Sequence, residues 1–249
     1  MRTVIYRKDL KARYLLTGLP GIGRVGHVAA AYMLNKMDST LVADIYSEYF
    51  PQQVVIEQGG ILRLLRNQLY YVDAKEPFFI LTGDVQPVGS SPAEFYEYTS
   101  EILELVKGFG VEEIYTMAGI DRGPQRMLSE PGVVVAGTDE EILKRFKELG
   151  AKIDDSGAIT GAAGLLLGVG ALEGFKGACL MGETSAQLTV HGDPGAALAV
   201  TRMIMAYLGN EIDLADLEKA ASGFEELLRK MAAPPKEETK PPEPTDYIR

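Results

Sequence analysis

Leu15–Gly26, LLTGLPGIGRVG, is the stretch on which the fold turns. It contains G-x-G-x-x-G at Gly21, Gly23 and Gly26, after an apolar strand-like run and before the helix-like HVAAAYMLNKM. Asp44 lies near the spacing at which a dinucleotide-binding unit places its ribose-binding carboxylate. The turn itself argues for another reading. A dinucleotide fingerprint closes its strand on the first glycine, so that pyrophosphate reaches the helix N-terminus. Here the strand ends at Thr17, and Gly18-Leu19-Pro20 intervene before Gly21. The expectation is a proline-fixed strand-to-helix turn whose glycines supply positive φ and close packing. The loop has no G-K-[ST], so it is not a Walker A loop.

Outward from this turn, strand and helix patterns alternate. Strands are predicted at 13–17, 40–45, 78–82, 113–118, 133–137 and 177–181. Helices are predicted at 27–37, 92–109, 139–149, 162–172, 194–208 and 214–231. Short apolar runs without clean alternation fit strands covered on both faces, in a largely parallel sheet between helix layers. Residues 53–74 break the rhythm and read as short strands turning at Gly59-Gly60 and Arg66-Asn67. They are expected to extend the main sheet in antiparallel fashion. Ser91 before Pro92, Asp139, and Asp193 before Pro194 are helix-start signals.

The 249 residues are 46% hydrophobic and 24% charged, enough for one large α/β domain. A formal net charge of −10 opposes broad attraction to nucleic acid or anionic lipid. Cys179 is the single cysteine, which rules out an intrachain disulfide and a cysteine metal cluster. The chain shows no signal-peptide pattern and no run of membrane-spanning length, so a cytoplasmic location is expected.

Two further clusters carry polar chemistry. Ser185, His191 and Asp193 fall within nine residues, too close for the usual nucleophile–base–orienter arrangement, and no G-x-S-x-G surrounds Ser185. A loop with a helix cap at Asp193 is the expected reading, and His27 and His191 show no metal-ligand spacing. In GIDRGPQR, residues 119–126, Asp121, Arg122 and Arg126 follow a predicted strand. They fit either an anion-binding site or an ion-pair network at an interface, with Glu183 as a carboxylate partner.

After Met231 the composition changes. AAPPKEETKPPEPTDYIR carries five prolines and has no apolar residue between Lys236 and Asp246 apart from proline. Such a segment is expected to be a flexible, polyproline-biased tail, yet it closes on Tyr247-Ile248-Arg249. The expected domains are thus 1–231 and 232–249.

TGLPGIGRVGHVAAAYML, TGDVQP (82–87), MAGI (117–120), ITGAAGLLL (159–167), GETS (182–185) and HGDPGAALAVTRMI resemble, in order and spacing, the archaeal branch of the proteasome-assembly-chaperone family. The resemblance spans residues 1–231. It implies an α/β sandwich of nucleoside-phosphorylase-like architecture, self-association, and ATP-independent chaperoning of proteasome core-particle assembly without enzymatic activity or cofactor. It also leaves room for a paralogue in the same complex. Members of this family and proteasome activators present C-termini of hydrophobic–tyrosine–any-residue type, which dock between core-particle α-subunits. This implies proteasome binding by Tyr247, Ile248 and Arg249, although here tyrosine is third from the end, one residue out of register. Gly21, Gly23, Asp121, Arg122, Arg126 and Glu183 are the candidates for a pocket or interface. The rival reading is a nucleoside-phosphorylase-like or nucleotide-hydrolysing enzyme using a pocket near Gly21 and Asp121. A dinucleotide-dependent oxidoreductase stands behind it.

Overall fold

The computed structural model describes residues 1–88 and 91–232. The expected docking residues Tyr247, Ile248 and Arg249 lie outside the described residues. The strands are β1 (Arg2–Ile5), β2 (Tyr14–Gly18), β3 (Ser39–Tyr46), β4 (Val54–Ile56), β5 (Leu62–Leu64), β6 (Asn67–Val72), β7 (Phe78–Gly83), β8 (Glu113–Asp121), β9 (Val133–Gly137), β10 (Lys152–Ile153) and β11 (Lys176–Thr184). The helices are α1 (Val25–Lys36), α2 (Pro92–Gly108), α3 (Glu140–Glu148), α4 (Gly161–Leu172), α5 (Pro194–Leu208) and α6 (Ala215–Ala232).

Nine strands form one mixed sheet in the order β1-β3-β6-β7-β2-β8-β11-β9-β10. Its centre, β7-β2-β8-β11, is parallel, whereas β1, β3 and β6 join it antiparallel on one side and β9 meets β11 antiparallel on the other. The expected parallel character therefore holds for the centre only. Leu15, Phe79, Leu81, Ile114 and Cys179 pack one face under α2 and α4, through Tyr98, Ile102, Leu103, Leu166 and Leu167. Leu16, Ile80, Tyr115 and Leu180 pack the other face under α1, α3 and α5, through Ala29, Ala30, Met33, Phe146, Val200 and Ile204. Burial of the central strands on both faces explains why their sequences lack alternation. It also pushes the Cys179 thiol up to about 11, leaving it an unreactive core residue.

The stretch at 53–74 divides. β6 extends the main sheet, but β4 and β5 pair only with each other and form a separate two-stranded sheet. Between β5 and β6 the chain is held by Asp84, which accepts from the backbone N–H of Arg66 at 2.9 Å.

Helix starts follow their capping chemistry. Asp139 accepts from the N–H groups of Glu141 and Ile142 at 3.1 Å, and Asp193 accepts from Ala196 at 3.0 Å. No described helix is long and apolar enough to cross a membrane.

Candidate functional site

β2 leads into α1 on one face of the sheet, while its parallel neighbour β7 leads into α2 on the other. Open α/β sheets place ligands outside strand C-termini where the connections diverge in this way. A cleft of about 360 Å³ lies there. Its walls are the strand ends at Thr17, residues 117–121 and Met181, the glycine turn at Gly21 and Ile22, the first turn of α4, Asp154 and residues 156–160.

The turn is built by glycines in close backbone contact. A side chain on Gly26 would run into the carbonyl of Met117, and one on Gly119 into the carbonyl of Ile22. Gly23 sits at φ +58°, and a β-carbon there would collide with Thr184. Its N–H donates to Thr189 Oγ1 at 3.2 Å and its carbonyl accepts from the Asp193 N–H at 2.9 Å. A backbone amide that a pyrophosphate would use is therefore already occupied. Gly21 is extended, at φ −159°, and lines the cleft.

Gln86 joins the turn to α4: its Nε2 donates to the Pro20 carbonyl at 2.6 Å and its Oε1 accepts from the Ala162 N–H at 3.0 Å. The α4 N-terminus thus spends a donor internally as well. Asp121 and Asp154 are the charged residues of the lining, and no described lysine or arginine belongs to it. Among the described residues the lining offers none of the cations that hold phosphate groups. Asp44 is buried on β3, separated from β2 by β6 and β7, and accepts from Tyr6, Arg66 and Gln68. It lies far from any place where a ribose would be read.

The polar candidates sort into separate groups. Asp121 accepts from the N–H groups of Gly123 and Ala186 at 2.8 and 3.1 Å, fixing the loop at the cleft rim. Glu183 pairs with Arg122 and Lys152, each at 3.2 Å, and accepts from the Gly132 N–H at 3.0 Å. Burial works to raise its carboxyl, but the Gly132 amide and the two cations hold it below the usual range.

Arg126, 2% exposed, forms a clamp. Its Nε and Nη2 donate to Asp193 at 2.7 and 2.8 Å, and Nη1 reaches Glu225 at 3.1 Å and the Ser129 carbonyl at 3.2 Å. Nη2 also contacts Glu225. All five guanidinium donors are consumed within the chain. Burial disfavours its charge, and the bonds to Glu225 and Asp193 outweigh that, raising its affinity for the proton. Thr184 Oγ1 donates to Asp193 at 2.8 Å, while Ser185 Oγ accepts from the Gln187 N–H. Asp193 thus serves as cap and counter-ion, and Ser185 stabilises a turn.

Of the expected residues, Gly21 and Asp121 meet at the cleft, whereas Gly23, Arg122, Arg126 and Glu183 buttress the structure beside it. Sequence reasoning missed Gln86, Thr184 and Glu225; only the TGDVQP and GETS motifs pointed to the first two.

The PAC2 family matches residues 15–232. An uncharacterized protein of Methanocaldococcus jannaschii is 32% identical over 225 residues, covering 90% of this chain and 84% of the relative. Among solved structures, Pyrococcus furiosus PbaB, described as an archaeal proteasome activator, superposes with TM-score 0.83 at 34% identity, covering 93% of this chain and 98% of that one. Pyrococcus furiosus PbaA, described as an archaeal homolog of proteasome-assembly chaperone, gives TM-score 0.72 at 28% identity, with coverage of 92% and 91%. Because the family model spans nearly the whole chain, the protein belongs to the PAC2 family.

Proposed function

We infer that this protein binds the proteasome core particle, as a non-enzymatic activator or assembly factor that needs no ATP. The observation that carries this reading is the likeness to PbaB over 98% of that protein's length. The cleft chemistry agrees: an occupied turn amide at Gly23, no lysine or arginine in the lining among the described residues, and an arginine fully committed to internal acceptors favour a scaffold over a phosphate-handling site.

The docking element we assign is the segment 233–249, ending in Tyr247, Ile248 and Arg249. A tyrosine supplies a rigid amphipathic anchor, and the proline-rich stretch before it lets that anchor reach a neighbouring particle. Several copies of the tail on one oligomer would raise avidity roughly 10²–10⁴-fold. The test is retention of purified core-particle α-subunits on immobilised protein. The parent is expected to retain them, and Tyr247→Ala to weaken binding by about 1–2 kcal/mol per engaged tail. Equal retention by Tyr247→Ala would remove the tail from the contact. Loss of retention by the parent would sink the proteasome reading itself.

A further inference from the structure

We propose that the outward face of the β4–β5 hairpin is a self-association surface that docks on the same face of a second copy of this chain. The two faces of the hairpin differ sharply. Val55 packs against the core, and Arg63 opposite it forks onto Asp84 at 2.5 and 3.0 Å, so this face is turned to the body. The register pairs Val54 with Leu64 and Ile56 with Leu62, which puts all four aliphatic side chains on the other face. They are 49%, 60%, 72% and 62% exposed, respectively, and Ile61 at the tip is 64% exposed.

Isolated exposed aliphatics need no explanation, but five on one short hairpin do. Together they offer on the order of 500 Å² of apolar surface, as large as the biggest patch of an ordinary monomer and over half of one partner's share in a stable interface. Among the described residues both outer edges of the hairpin are also unpaired. A two-stranded sheet is marginal in water until something covers its apolar face.

Charge chooses the occupant. A chain of net charge −10 attracts a different protein most strongly through basic complementarity, yet the face is formed by uncharged side chains. The partner that fits is one with the same apolar chemistry. Two facing cross-strand pairs, Val54–Leu64 and Ile56–Leu62, can meet their own copies about a two-fold axis. Contact through this neutral face also keeps the acidic remainder of each subunit apart.

The proposal is independent of proteasome binding and is tested on the full chain by light scattering. The parent is expected to be oligomeric. Ile56→Lys combined with Leu62→Lys should lower the particle mass by a factor of about two or more, while Leu172→Lys, at a still more exposed leucine on α4, should not. A second measurement avoids any folding defect of the charged variant. Cys179 is buried, so Leu62→Cys introduces the accessible thiol, and a short bismaleimide should link two chains through it, whereas Leu172→Cys should stay unlinked. Unchanged mass in the double lysine variant, a monomeric parent, or absence of linkage through position 62 would each overturn the proposal. So would a double variant that keeps its mass but loses core-particle binding, since the face would then belong to another protein.

Discussion

Gly23 carries the heaviest constraint in the glycine turn. It combines φ +58° with a β-carbon position filled by Thr184, so alanine would meet both backbone strain and a collision. Gly23→Ala is expected to cost about 1–3 kcal/mol in urea unfolding. Gly21→Ala should cost little, because Gly21 is extended and its nearest neighbour, Gln86 Nε2, would be 3.4 Å from the new carbon. The contrast separates a packing role from a ligand-binding one, in which both changes would matter. His27, in the first turn of α1, makes a pH prediction. Burial, followed by the charge of Arg24, holds its pKa below the ordinary 6.5, and its Nδ1 has no hydrogen-bond partner. The unfolded chain therefore takes up this proton at higher pH than the folded one. Stability should be full above pH 6.5 and fall as pH drops from there toward the lower folded value. Thermal melts should show that slope, and His27→Phe should flatten it.

At the scale of elements, Arg126 ties the turn after β8 to the N-terminus of α5 and to Glu225 on α6. Arg126→Ala would leave Asp193 buried beside Glu225 with no cation, at an expected cost of about 3–5 kcal/mol. Lysine should rescue it poorly, because one ammonium cannot reproduce the fork to two carboxylates. Urea unfolding of both variants checks this. The clamp also shows where sequence reading runs out. Arg126 lies 67 residues from Asp193 and 99 from Glu225, and no local pattern joins them. What local patterns do encode was legible: the strand at Val133–Gly137 and the helix at Pro194–Leu208 fall where β-branched runs and a capped, proline-initiated period put them. The hairpin strands were visible too, but their separation from the main sheet was not, since sheet membership depends on distant partners. β1, which alternates exposed and half-buried positions along an edge, was hidden in the charged N-terminal stretch. Gly21 and Asp121 were found because strand ends are where such folds place their clefts, whereas Gln86 bridges two loops and leaves no periodic trace.

For the whole molecule, a parallel centre wrapped by helices supplies a rigid body, and its exposed features divide the work. On the two proposals made above, the hairpin face gathers subunits and the segment 233–249 reaches the core particle. On this account, cutting the chain after Met231 should leave the particle mass per chain number unchanged in light scattering, because a proline-rich charged segment buries little apolar surface. The same truncation gives the most direct test of the central claim. Surface plasmon resonance of assembled core particle over the full chain should show saturable binding. Over the chain ending at Met231, affinity should fall by about 100-fold or more as the linked tails are lost. Equal binding by the two chains, or none by the full chain, would contradict the account.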